Sequence, residues 1–79
     1  MEIELRLFAS LARYLPDQTE GKSVIMEIDK GKTVKDIVEK MGVPLEEVKL
    51  IFINGIRSGI ESSLKDKDRL GLFPPVAGG

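Results

Sequence analysis

The last two residues of the sequence, Gly78 and Gly79, are those whose type and position best suit a chemical role. They carry a free α-carboxylate on backbone that has no Cβ at its last two positions, and the small Ala77 precedes them. Upstream, Pro74-Pro75 cannot continue a strand ladder or a helix and tends to hold the chain extended. Such a tail can enter a narrow cleft in another protein and present its carboxylate there. The alternative, given equal weight on these residues alone, is a frayed terminus of the kind most small domains have.

The composition removes most conventional catalytic groups. The 79 residues include no cysteine and no histidine, which excludes disulfides, thiolate nucleophiles, imidazole bases and the usual zinc sites. No Asp-rich loop has the spacing of a magnesium or calcium site, so the sequence predicts no bound metal. The serines at positions 58, 62 and 63 have no histidine to activate them. We therefore expect a protein that is not an enzyme by itself.

Charged residues are abundant but balanced. There are 12 Lys and Arg against 13 Asp and Glu, a net charge of −1, which gives no general attraction to nucleic acid or to an anionic membrane. The first residues, Met1-Glu2-Ile3-Glu4, lack the basic region of a signal peptide, and the apolar runs are too short to span a bilayer. The sequence predicts a cytoplasmic protein without nucleic-acid or membrane partners.

The N-terminal third alternates in polarity and predicts two strands. Apolar and polar residues alternate over residues 2–8 and again over residues 23–28, as in half-buried strands. Between them, residues 10–15 are rich in Leu and Ala and end at Pro16, which fits one or two helical turns. Residues 17–22 form a polar loop.

The clearest local prediction is one helix that begins after Thr33. Thr33 can cap it, Gly42 can stop it, and Pro44 cannot continue it. The apolar residues follow the i, i+3, i+4, i+7 spacing of one helix face: Val34, Ile37, Val38 and Met41.

The C-terminal half predicts three more strands. Residues 50–53 are apolar on both faces, as expected of a strand near the middle of a sheet. Asn54-Gly55 is a hairpin signal because both residues accept positive φ, and residues 56–60 form the return strand. A charged turn at residues 65–68 leads into the last strand, residues 69–73.

The order of these elements predicts the fold class. Strand, strand, helix, strand, short strand and strand pack most compactly as an α+β domain of the β-grasp (ubiquitin-like) type, a mixed β-sheet with one main helix packed across it. Residues 1–74 form this domain, and residues 75–79 form an extended, flexible C-terminal Gly-Gly tail.

Side-chain alternation predicts an outward aromatic pair. If Leu70 and Leu72 point inward, Phe73 points outward, and Phe8 points outward from the first strand by the same reasoning. If the two rings are close in space, they form an apolar docking patch. The alternative is that the short helix at residues 10–15 covers Phe8.

Residues 64–79 resemble the C-terminal signature of the MoaD branch of the MoaD/ThiS ubiquitin-like sulfur carriers, the small subunits of molybdopterin synthase. The specific part is Phe73-Pro74-Pro75-Val76 followed by Gly78-Gly79, since the thiamine branch also ends in Gly-Gly but usually lacks Phe-Pro-Pro. One departure is Lys67, where many relatives have Gly. Weaker matches extend over the rest of the chain: Leu7-Phe8-Ala9, Thr33-Val34 and Ile53-Asn54-Gly55.

The resemblance implies a mechanism. An E1-like adenylating enzyme would use ATP to activate the Gly79 carboxylate, and a persulfide sulfur donor would convert it to a C-terminal thiocarboxylate. The tail would then enter the large subunit of molybdopterin synthase, which transfers the sulfur to a pyranopterin precursor of the molybdenum cofactor. No cofactor would be bound by the chain itself. The residues implied are Gly79 as the reacting group, Gly78, Ala77 and Val76 as the inserted tail, and Phe73, Pro74, Pro75 and Phe8 as partner-binding residues.

Other functions share the same tail. A ubiquitin-like modifier would use Gly79 to form isopeptide bonds with lysines of other proteins, and the activation step would be the same. A sulfur carrier for thiamine biosynthesis or for a tungsten cofactor is a further alternative. A plain β-grasp interaction module would not use its terminus at all, so deleting Gly78-Gly79 would leave its function intact.

Overall fold

The structure is a computed structural model that describes residues 1–16 and 23–75. The polar loop predicted at residues 17–22 and the tail residues 76–79 lie outside the described residues.

Within the described residues, five strands form one mixed sheet. They are β1 (Glu2–Leu7), β2 (Ser23–Glu27), β3 (Leu50–Ile53), β4 (Ile56–Ser58) and β5 (Arg69–Phe73), and they lie side by side in the order β2-β1-β5-β3-β4. The central pair, β1 and β5, is parallel, and the other three pairs are antiparallel. With one main helix across this sheet, the predicted α+β, β-grasp class is confirmed.

The helix α1 spans Val34–Met41 and packs on one face of the sheet. It begins at a reciprocal capping box: the backbone N–H of Asp36 donates to Thr33 Oγ1, and the Thr33 N–H donates to the Asp36 carboxylate over 2.8 Å. It ends at Gly42, whose φ of 76° is the left-handed conformation that glycine adopts readily. Among residues 1–16 and 23–75, no helix has the length and apolar character needed to cross a membrane.

The hydrophobic core lies between α1 and the strands. Its fully buried side chains come from alternate positions of β1 and β5 and from one face of the helix, as the two periodicities require. They are Ile3, Leu5, Leu7, Leu70, Leu72, Val34, Ile37 and Val38, together with Leu11.

Some element boundaries differ from the sequence prediction for local reasons. β1 ends at Leu7 because Ala9 has a φ of 51° and the carbonyl of Phe8 accepts a hydrogen bond from Leu11, which starts a 3₁₀ segment (Ala9–Tyr14). β4 ends at Ser58 rather than residue 60, since the Gly59 N–H donates to Ser62 Oγ. A second 3₁₀ segment, Leu45–Glu47, was not predicted.

Candidate partner-docking surface

The sheet face opposite α1, here called the open face, carries a cluster of three phenylalanines, here called the aromatic patch: Phe8, Phe52 and Phe73. The rings of Phe8 and Phe73 are stacked, with centroids 4.2 Å apart and planes 2° from parallel. Phe52 meets Phe73 edge to face at 5.6 Å. All three side chains are half-buried, and offset-stacked and edge-to-face contacts are the arrangements that aromatic pairs favour.

The sheet register places these rings together. Phe73 is the last residue of β5 and lies opposite Leu50 of β3, while Phe52 lies opposite Gly71 of β5. Phe8 follows β1 directly, and its N–H donates to the Leu72 carbonyl over 3.1 Å, which extends the parallel β1–β5 ladder by one bond. The patch therefore combines three strand segments that are distant in the sequence.

Gly71 forms the floor of the aromatic patch. A Cβ at this position would lie 3.3 Å from Phe8 Cε2 and 4.0 Å from Phe73 Cε1. Because 3.3 Å is tighter than ordinary carbon–carbon contact, a side chain at Gly71 would push the Phe8 ring away from its present position. Glycine here preserves the ring stack.

The patch lines one side of a shallow concavity of about 380 Å³ on the open face. Arg6 and Arg69 also line it, so its rim is cationic and its centre is apolar. Arg6 is partly neutralised, since its Nε donates to Glu4 Oε2 over 2.7 Å. An apolar centre with a charged rim is the usual anatomy of a protein–protein interface.

The sequence-predicted partner residues lie at one end of this surface. Phe8 and Phe73 are brought into contact, and both line the concavity. The buried residue of the first 3₁₀ segment is Leu11, which belongs to the core. Pro74 is half-buried and Pro75 is exposed, directly after β5. Val76, Ala77, Gly78 and Gly79 lie outside the described residues.

A polar bridge joins the two 3₁₀ segments near the end of β5. Glu47 accepts hydrogen bonds from Arg13 Nη2 and, over 3.0 Å, from the Tyr14 hydroxyl. The hydrogen bond to Tyr14 and the charge of Glu47 raise the pKa of Arg13 above its ordinary value. Beside this bridge, the Lys49 N–H donates to the Phe73 carbonyl over 2.8 Å. These contacts fix the backbone from which the C-terminal segment continues.

A second concavity, of about 650 Å³, lies between β2 and the start of α1. Its lining carries both signs of charge, with Glu27, Asp36 and Glu39 beside Lys32 and Lys40. Across residues 1–16 and 23–75, no three His, Cys, Asp or Glu side chains are grouped so that they could hold a metal ion.

Sequence reasoning missed Phe52, Gly71 and the arginines of the rim as parts of the site. Phe52 belongs to a run that is apolar on both faces, so alternation gives it no direction. The hairpin signal at Asn54-Gly55 fixes the pairing of β3 with β4, but it is the pairing of β3 with β5 that brings Phe52 into the aromatic patch. That long-range register has no local signal in the sequence.

Comparison with known proteins identifies the family. A sequence model of the Mut7-C ubiquitin family matches residues 1–77. The chain belongs to this family. It is thus a ubiquitin-like protein, as predicted, and its structural neighbours belong to the MoaD/ThiS family. None of the curated proteins matches the sequence significantly.

Similar solved structures cover the whole chain. The HVO 2177 protein of Haloferax volcanii is 28% identical, with a TM-score of 0.77 over 100% of this chain and 87% of its own. SAMP1 of Haloferax volcanii is 25% identical, with a TM-score of 0.73 and complete coverage of both chains. A complex of subunits 1 and 2 of molybdopterin-converting factor from Helicobacter pylori 26695 includes a chain that is 23% identical, with a TM-score of 0.61 and complete coverage of both chains, and this likeness shows the fold alone.

Proposed function

We propose that this protein is a sulfur carrier whose C-terminal Gly79 is adenylated and then thiocarboxylated, and which donates the sulfur to a pyranopterin precursor in molybdenum-cofactor biosynthesis. In this proposal the chain is not an enzyme by itself. It serves as the small, sulfur-donating subunit of a molybdopterin synthase.

The observation that carries the proposal is the position of Phe73. This residue is at once the last residue of β5, a member of the aromatic patch and the start of the Phe73-Pro74-Pro75-Val76 motif that leads to Gly78-Gly79. A partner that docks on the aromatic patch therefore lies beside the point where the tail begins. Docking and delivery of the tail are coupled by this single residue.

The chemistry requires little of the folded domain. A Gly79 carboxylate oxygen attacks the α-phosphorus of ATP on an E1-like enzyme, pyrophosphate leaves, and an acyl adenylate forms. The terminal sulfur of a persulfide then attacks the acyl carbon and AMP leaves. The product is an acyl disulfide; a thiol attacks its donor-side sulfur, forms a disulfide with the donor and releases the thiocarboxylate. The absence of Cys and His from the chain is compatible with this role, because every catalytic group is supplied by a partner.

One structural neighbour supports a large-subunit partner for this protein. This neighbour is a complex of subunits 1 and 2 of molybdopterin-converting factor. By analogy, the present protein would bind a large subunit. We assign the aromatic patch to docking both partners in turn, first the E1-like enzyme and then the large subunit, with Phe8, Phe73, Pro74 and Pro75 as the binding residues.

The intact mass of the purified protein tests the proposal. After incubation with ATP, the E1-like enzyme of the same organism and a persulfide source, we expect a mass gain equal to the difference between sulfur and oxygen. A variant that lacks Gly79 and a variant with one alanine added after Gly79 are the controls, and neither should gain this mass. A wild-type mass that stays unchanged with an enzyme shown to adenylate another substrate would rule the proposal out.

A second candidate is a ubiquitin-like protein modifier. It is favoured by the complete coverage of SAMP1, the small archaeal modifier protein 1 of Haloferax volcanii, at 25% identity. Here an acyl adenylate on Gly79 would be attacked, directly or through a thioester, by the ε-amine of a lysine on another protein. A ladder of covalent conjugates that disappears when Gly79 is deleted, without formation of a thiocarboxylate, would favour this function over sulfur transfer.

A further inference from the structure

The open face of the sheet carries its acidic side chains on β1 and β2 and the arginines Arg69 and Arg57 on β5 and β4, with Arg69 directly opposite Glu4 of β1. The register places Arg6, Gly71, Phe52 and Arg57 in one row across β1, β5, β3 and β4. With strands about 4.8 Å apart, the two arginines of this row are about 15 Å apart, on opposite sides of the patch.

The part of this face formed by β5, β3 and β4 is cationic. Arg57 of β4 and Arg69 of β5 are both exposed and share the open face with Phe52. Among residues 1–16 and 23–75, no carboxylate lies within ion-pair distance of either guanidinium. Neither guanidinium therefore has an ion-pair partner within the described part of the chain.

The β2 side is different because it carries the acidic residues of this face. Glu2 and Glu4 of β1 and Glu27 of β2 lie there, and Glu2 and Glu4 are already paired, with Lys67 and Arg6 respectively. A protein that covers the aromatic patch thus meets two arginines without ion-pair partners, both on the strands from β5 to β4. Burying them without a counter-charge would carry a large desolvation cost.

We infer that the aromatic patch docks a protein whose contact surface is apolar at the centre and carries carboxylates on one side, positioned over Arg57 and Arg69. Arginine forms two parallel hydrogen bonds with a carboxylate, so the pairs set orientation as well as attraction. Because the arginines are unevenly distributed over the open face, the partner can bind in only one orientation on the sheet. In that orientation the segment after Phe73 runs in one direction relative to the partner. The inference rests on the proposed function, and the partner it concerns is the E1-like adenylating enzyme, the first protein to dock on this patch.

The test compares charge reversal on the two sides of the domain. The double variant Arg57→Glu/Arg69→Glu removes the proposed attraction, and Lys30→Glu/Lys35→Glu changes the net charge equally at exposed positions in the β2–α1 turn and on α1. Association with the E1-like enzyme is measured by stopped-flow or surface plasmon resonance between about 20 and 300 mM salt, a range over which the Debye length falls severalfold.

We expect the association rate constant of the arginine double variant to fall at least tenfold at low salt, with a weaker salt dependence than wild type, since complementary charge acts mainly on encounter. The lysine control should change it by less than twofold. Equal rate constants for the two double variants would overturn the inference, while the thiocarboxylate assay would still report on the proposed function.

Other occupants of this face give distinct results. If wild type forms a dimer in sedimentation experiments and the arginine double variant is a monomer, the occupant is a second copy and the inference is wrong. Binding of single-stranded RNA that depends on Arg57 and Arg69 would overturn it as well. If wild type does not bind the E1-like enzyme at all, both the inference and the proposed function fail.

Discussion

Asp68 Oδ1 accepts a hydrogen bond of 2.8 Å from Asn54 Nδ2, and this pair ties the β3–β4 hairpin to the start of β5. The two residues are 14 apart in the chain. Asn54 Oδ1 accepts from the Arg69 N–H, and the other Asp68 oxygen accepts from the Lys65 N–H. Asp68 is buried, so its carboxylate depends on these partners. The link holds β3 against β5, the pairing that brings Phe52 to Phe73.

Replacing Asp68 with alanine should lower the free energy of unfolding by about 2 kcal/mol. The substitution leaves the Lys65 N–H and the Asn54 amide without their acceptor, and unsatisfied polar groups of this kind cost about 1–3 kcal/mol. Asp29→Ala, at an exposed position in a turn, is the matched control and should change stability by less than about 0.5 kcal/mol. Urea denaturation of both variants measures the difference. Equal stabilities would show that the link contributes nothing.

The sequence predicted the parts of the fold that depend on near neighbours. Thr33, the apolar spacing of α1 and Gly42 define the helix, because each acts within one or two turns of itself. Alternation predicted the directions of Leu70 and Leu72, which are fully buried. The fold class followed from the order of these elements.

Which side chains lie together on the open face could not be predicted in the same way. It depends on the β1–β5 and β3–β5 registers, which pair residues far apart in the chain. The direction of Phe52 and the role of Gly71 follow only from those registers. Alternation gave Phe8 and Phe73 an outward direction, but only the parallel β1–β5 pairing shows that their rings stack.

Thr33→Ala should destabilise the protein by about 1 kcal/mol at neutral pH, because it removes the side-chain half of the capping box. The hydrogen bonds from the Thr33 N–H and, second, from its hydroxyl lower the pKa of Asp36 below its usual value. A carboxyl whose pKa is lower in the folded state stabilises the fold above its unfolded pKa, near 3.8, and this stabilisation is lost as the pH falls through the folded pKa.

In Thr33→Ala the pKa of Asp36 should therefore rise part of the way toward its usual value, because the backbone hydrogen bond remains. Titration of the Asp36 carboxyl by NMR measures this rise. Thr33→Ser keeps the hydroxyl and should keep the low pKa. A pKa that is the same in all three proteins would exclude the Thr33 hydroxyl as a cause.

The variant Lys67→Gly should be more stable than the variant Lys67→Ala. Its φ is 71°, in the left-handed region where a Cβ is strained and glycine is not. Its Nζ also pairs with Glu2 Oε1 over 2.8 Å, and this hydrogen bond raises the pKa of Lys67. Lys67→Ala loses the ion pair and keeps the strain, so its melting temperature should fall below that of wild type. Lys67→Gly loses the ion pair but removes the strain, so it should melt above the alanine variant. The opposite order would mean that the turn changes conformation to relieve the strain.

Gly71→Val should displace the ring of Phe8 and destabilise the protein by about 1–3 kcal/mol, the usual range for overpacking. The valine Cβ alone would lie 3.3 Å from the Phe8 ring, and its methyl groups would extend further into the patch. Gly59→Val is the control, since no atom lies within 4 Å of a Cβ built there. Nuclear Overhauser effects between the Phe8 and Phe73 rings should weaken in Gly71→Val only. Unchanged ring contacts would show that the stack tolerates a side chain on its floor.

Phe73→Ala should weaken binding to the E1-like enzyme or the large subunit at least tenfold, while the fold remains intact. The substitution removes both the stacked contact with Phe8 and the edge-to-face contact with Phe52, so the centre of the patch is lost. Ile25→Ala provides a matched control, because Ile25 is 59% exposed on the same open face, on the edge strand β2. Isothermal titration calorimetry of both variants gives the dissociation constants, and circular dichroism gives their melting temperatures. Affinities for both partners that equal those of wild type would remove Phe73 from the docking surface, and equal losses in the two variants would place the contact across the whole face rather than at the patch.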